Sequence, residues 1–391
     1  MIELLENNLD TKYIDLSYND NEIIIYASEN GHTNIVKLLL GDSRVDPSDV
    51  DNCAIKWASY SGHGKVVKLL LEDKRVDPSA DDNWAIKYAS RNGYNKVIKL
   101  LLEDKRVDPG AEDNFTIRYA SENGHDKVVK LLLEDKRVDP GTNDNYAIKY
   151  ASENGHGKVV KLLLEDKRVD PGAEDNFTIR YASWSGYDKV VKLLLEDKRV
   201  DPSAENNRAI RLASENGHDK VVKLLLEDKR VDPSANDNWA IRHASENGHV
   251  EVVKLLLEDK RVDPSDDNNW AIGVASEYGH VEVVKLLLED KRVDPSDDNY
   301  AIQYASQNGH DKIVKLLLED KRVDPSANDG YAIRWATFNG EKKVVKLLLA
   351  DSRVIFEDNI LNIEWGAKQY PSMMDIIHEY KNKFVNFKHE K

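Results

Sequence analysis

A single cysteine, Cys53, among 391 residues excludes an internal disulfide and fits a reducing compartment. Long apolar runs are missing too. The most hydrophobic stretch, the recurring VVKLLL, is interrupted by lysine every time, so no membrane-embedded segment is expected. The opening MIELLENNLD is acidic and lacks the basic start and apolar run of a secretion signal, which predicts an intracellular protein, cytoplasmic or nuclear. Basic residues are outnumbered, 56 Lys and Arg against 71 Asp and Glu, and the net charge of −15 disfavours phosphate backbones as partners. No nucleophile elbow, P-loop, dinucleotide fingerprint or zinc spacing occurs, so the sequence predicts no enzyme, no cofactor and no metal.

Proline is scarce but ordered. Ten of the eleven prolines, from Pro47 to Pro325, follow one another at intervals of 31 residues, except for a last interval of 30. A fixed period of this size signals stacked repeats, because one such unit cannot bury its apolar face alone. The unit NWAIRHASENGHVEVVKLLLEDKRVDPSAND from Asn238 shows the plan. Ile241 and Ala244 share one face of a short first helix, with Asn238 or Asp237 as its expected N-cap. Ala244 and Ser245 are small enough for backbones to approach closely, and Gly248 fills a left-handed C-cap slot that holds glycine in all eleven units. Val252, Val253 and Leu255 to Leu257 make a more apolar second helix, which must end before Asp263, since the residue ahead of a proline leaves helical geometry.

ASENGHVEVVKLLLE resembles the ankyrin repeat, over roughly residues 22–353. WAIRHA stands where that family has T-P-L-H-x-A, and the unit is short by about two residues, so the connecting hairpin should be shortened. With EDKRVDPSANDN, this short form is similar to the ankyrin proteins that giant DNA viruses of amoebae encode in many copies. The resemblance implies an all-α helix-turn-helix solenoid of eleven repeats plus a degenerate one. It also implies a protein-binding surface on the first helices and loops. Residues 1–21 are expected to be an N-terminal capping half-repeat, 22–353 the repeats, and 354–391 a degenerate capping repeat with a basic tail.

Three periodic features invite sharper chemistry. The histidines after the glycine, such as His125 and His249, would lie about a helix diameter apart, too far to share an ion, and are expected to close the turn between helices. The Asp-rich loops lack the glycine and distal glutamate of an EF-hand, so they read as Asx-turns and helix caps. Lys56, Lys87, Arg118, Lys149, Arg180, Arg211, Arg242 and Arg334 share one first-helix slot. They read as a solvated, internally paired stripe, with nucleic-acid binding a third-ranked function.

Variation within the repeats points elsewhere. NFTIRYASENGHDKVV from Asn114 returns at Asn176 as NFTIRYASWSGYDKVV, with Trp184, Ser185 and Tyr187 replacing Glu, Asn and His. Across the units the Trp184 slot holds six glutamates and a glutamine, so it is expected to face water, and an aromatic there is a candidate contact residue. Trp184, Tyr187, Tyr60, Arg91, Arg208 and Phe338 are the candidate partner-binding residues. A second slot, aromatic in eight of eleven units from Trp84 to Tyr331, reads as a structural ladder. The expected function is a non-enzymatic scaffold for a protein partner, a host protein being one candidate. The alternative is a passive structural or virion-associated repeat protein.

Overall fold

The computed structural model describes residues 15–354, Tyr370 and 373–380, so the two segments read as caps lie mostly outside the described residues. Among the described residues there are eleven first-and-second helix pairs, from Tyr18–Glu29 with Thr33–Leu40 to Ala327–Phe338 with Lys342–Ala350, and no strand. The chain divides into two compact units, residues 1–201 and 202–391. Within each, successive first helices pack side by side, as do successive second helices. In the pair Thr142–Glu153 and Gly157–Glu165, the core is Ala147, Ile148, Ala151 and Ser152 against Val159, Val160 and Leu163. The small Ala–Ser pair is fully buried, as close packing of first helices requires. Gly155, at φ 75°, ends the first helix, and the next N–H, that of His156, reaches back to the Ala151 carbonyl at 2.8 Å in a Schellman-type closure.

The shortened hairpin is replaced by a left-handed turn. Asn143, Asp144 and Asn145 have φ of 52°, 54° and 59°, and a like triplet lies in the first turn of most of the other first helices. Each left-handed residue costs about 1–2 kcal/mol for most side chains, least for Asn and Asp, which accounts for the Asx-rich loops. The asparagine ending the triplet is not an N-cap. Asn238 makes no side-chain bond to its own helix; its Oδ1 accepts the N–H of Asp263, in the next repeat, at 2.7 Å. Asn145 does the same with Asp170 at 2.6 Å. Where the interval drops to 30 residues, only Asp298 and Asn299 are left-handed, and the right-handed helix after them, Tyr300–Gln307, is as long as its counterpart at 146–153. The link from Asn299 to Asp324 survives at 2.7 Å. A missing residue is therefore absorbed in the turn.

The uniform DKRVDP segment has a structural reason as well. Arg168 holds Asp166 through Nη2 at 2.6 Å and Nε at 3.0 Å, while its Nη1 donates to the Val138 carbonyl of the preceding repeat at 2.6 Å. Asp170 accepts the Gly172 N–H at 2.9 Å, the expected Asx-turn. The arginine hydrogen bond holds Asp166 below the usual carboxylate range, as its counterparts hold Asp104, Asp135 and Asp197. A carboxyl group depressed by folding stabilises above its unfolded value and loses that contribution as pH falls through the folded value. The melting temperature should therefore be insensitive to these groups from pH 7 to 5 and fall below about pH 4, to be checked by a pH series of thermal melts.

Candidate functional site

The aromatic slot and the slot four residues on lie one helical turn apart, and the structure joins them into one ladder. In the first unit the ring centroids run Trp84–Tyr88 4.3 Å, Tyr88–Phe115 5.8 Å, Phe115–Tyr119 4.1 Å and Tyr119–Tyr146 6.1 Å, and continue to Tyr181. In the second unit a shorter run links Trp270, Tyr300, Tyr304, Tyr331 and Trp335. Rings thus stack within a repeat as well as on the next. The histidines do more than close a turn. His156 Nε2 donates to the Glu122 carbonyl of the preceding repeat at 2.9 Å, and its ring covers Gly124, where a Cβ would lie 2.6 Å from Nδ1.

These inter-repeat bonds define a frame of identical helix pairs, and the chain matches one family in that frame. The model described as "Ankyrin repeats (3 copies)" covers residues 1–82, 24–113, 86–175, 117–207, 179–268, 210–299 and 272–358. The chain belongs to the ankyrin-repeat family. No curated protein matches it. Ankyrin repeats generally mediate protein–protein interaction and are typically non-enzymatic. No helix among the described residues of this ankyrin array is long and apolar enough to cross a membrane.

In several of the ankyrin repeats the Trp184 slot borders the ladder. Trp184 is 47% exposed and meets Tyr181 edge-on at 6.3 Å. Tyr60, 41% exposed, packs on Trp57 at 5.5 Å and Trp84 at 5.8 Å. The exposed Arg91 guanidinium lies over Tyr119 at 5.6 Å. In the second unit Phe338 is half-buried against Trp335 at 5.3 Å, and Arg208, also half-buried, pairs with Glu205 at 2.5 Å. Tyr187, 38% exposed, lies over Gly155 as the histidines do elsewhere. The slot is less uniformly wet than its polar residues suggest. Glu122 is half-buried and accepts the Tyr146 hydroxyl at 2.8 Å; Glu277 does the same for Tyr300 at 2.9 Å. Burial and the Glu122 carboxylate push the Tyr146 phenol up, so it stays the donor. Sequence reasoning missed this link because it joins residues in different repeats.

In the first-helix basic line Lys56, Lys87, Lys149 and Arg242 each pair with a carboxylate of the following repeat, but much of the line is not solvated. Lys87, Lys149 and Arg180 are 5%, 8% and 6% exposed. Lys87 Nζ meets Glu112 at 2.8 Å and Lys149 Nζ meets Glu174 at 2.5 Å, both in the following repeat. Arg242 pairs with Asp267 in the same way. The left-handed turn swings its acidic residue over the neighbouring helix, and the ammonium group also meets the ladder, as Lys149 Nζ does over the Phe177 ring at 5.0 Å. Buried ammonium groups already paired with carboxylates have little to offer a phosphate backbone. Among the described residues, no group of three or more His, Cys, Asp or Glu is placed to hold a metal ion. EDTA should leave the melting temperature unchanged; a clear fall would reveal a structural ion, whose binding adds to folding free energy.

Proposed function

We propose that this ankyrin array is a non-enzymatic intracellular scaffold that binds a protein partner through its first-helix and loop surface. Residues 22–353 form the array, between a capping half-repeat at 1–21 and a degenerate repeat and tail at 354–391. The short repeat is similar to those of giant DNA viruses of amoebae, which makes a host protein the natural class of partner. One observation carries the reading. Trp184 stands 47% exposed in a slot that sister repeats fill with glutamate, so the fold does not require a tryptophan there. In the first unit Tyr60, Arg91 and Tyr187 offer further contacts, and in the second unit Arg208 and Phe338. Rigid aromatic and arginine groups dominate binding energies at protein interfaces. Affinity capture from cell extracts at physiological salt tests the reading. A saturable protein partner is expected, whereas recovery of salt-sensitive nucleic acid, or of nothing, would favour the nucleic-acid or the passive structural alternative.

A further inference from the structure

The second helices carry an exposed basic surface. Lys68 and Lys99 belong to a slot that is lysine in all eleven second helices, and Lys65 and Lys96 precede them by one turn. Between the helices Gly64–Glu72 and Asn95–Glu103 lies an open groove of about 790 Å3, lined by these four lysines. Gly62 and Gly64 leave it open by having no side chain, Leu100 supplies an apolar contact, and Glu103 is the one carboxylate on its lining. All four lysines are exposed, and none has a carboxylate within 4.0 Å among the described residues. Neither helix has an acid in its first turn, whereas Asp126 and Asp188 open sister helices. The helix N-termini therefore add uncompensated positive partial charge at the same edge. The fold does not demand Lys65 or Lys96, because Glu251 and Glu282 occupy their slot in other repeats.

We infer that this groove binds a small, multiply phosphorylated ligand, either free or as a lipid headgroup. Lysine ammonium groups are compact point charges suited to phosphate, and the one ring on the lining, His63, lies packed against Gly31. Size follows from the charge of the whole chain. A net −15 repels a long polyanion, while a small ligand feels mainly the field within a Debye length of about 8 Å. This site lies on the second helices and does not depend on the first-helix reading.

Titration calorimetry of the full chain with inositol hexakisphosphate, at about 150 mM salt, tests it. Binding in the micromolar range is expected. The double variant Lys65→Glu, Lys96→Glu should keep the wild-type melting temperature, since sister repeats carry glutamate there. It should weaken binding about thirtyfold or more, because each reversal turns attraction into repulsion. The matched variant Lys220→Glu, Lys312→Glu in the second unit should change it by less than about threefold. Sedimentation with vesicles containing phosphatidylinositol bisphosphate separates the sources: co-sedimentation that requires Lys65 and Lys96 assigns a lipid headgroup, and its absence beside calorimetric binding assigns a free ligand. No binding of the hexakisphosphate, or equal losses in both double variants, would overturn the site. Tighter binding of single-stranded RNA at equal phosphate concentration, with the same lysine dependence, would reassign it to nucleic acid.

Discussion

Gly124→Ala should destabilise the protein by about 3 kcal/mol, while Gly157→Ala, one repeat further on, should stabilise it by about 0.5 kcal/mol. Gly124 has φ 75°, which costs a residue with a Cβ about 1–2 kcal/mol. That Cβ would also lie 2.6 Å from the His156 ring. The imidazole would have to move, losing its 2.9 Å bond to the Glu122 carbonyl, and displacements of this kind cost about 1–3 kcal/mol more. Gly157 instead opens a second helix, and a Cβ there would meet nothing nearer than 3.9 Å, so alanine gains helix propensity without a clash. Urea denaturation of the two variants reads the difference. Coincident transitions would mean that the ring-on-backbone contact contributes nothing to repeat stacking.

The triple change Trp184→Glu, Ser185→Asn, Tyr187→His should separate stability from binding. The sister repeat already carries Glu122, Asn123 and His125 on the same backbone, and an imidazole can cover Gly155 as His156 covers Gly124. Stability should stay within about 0.5 kcal/mol of wild type, against about 3–5 for loss of a buried tryptophan. Partner affinity should fall by about 2 kcal/mol or more, some thirtyfold. A large fall in melting temperature would make Trp184 a packing residue, and unchanged affinity would move the contact surface away from it.

The helix pairs, the glycine C-cap and the aromatic slot were legible because each rests on local spacing: Val159, Val160 and Leu163 repeat at helical intervals, and Gly155 ends a helix that any reader of caps would end there. What stayed hidden joins residues about 25 to 35 apart. Asn145 reads as an N-cap, yet it bonds Asp170, and Lys149 reads as a solvated cation, yet it is buried on Glu174. In a periodic chain each residue has the same neighbours in sequence and different ones in space, and pattern alone does not say which neighbour takes the bond. The left-handed triplet was hidden for another reason. Asx-rich stretches fit turns of many kinds, and three consecutive residues in that conformation form a rare choice. Of the candidate contact residues, Trp184, Tyr60, Arg91 and Phe338 were found from one variable slot, and the structure sets each against an aromatic ring.

Hydroxyl-radical footprinting of the protein with and without its captured partner tests most directly whether the first-helix face is the docking surface. Tyr60, Trp184 and Tyr187 should lose reactivity in the complex, while amine labelling of the exposed second-helix lysines Lys130 and Lys161 stays at the level of the free protein. Protection of those lysines, with the three aromatic side chains as reactive as before, would contradict the account.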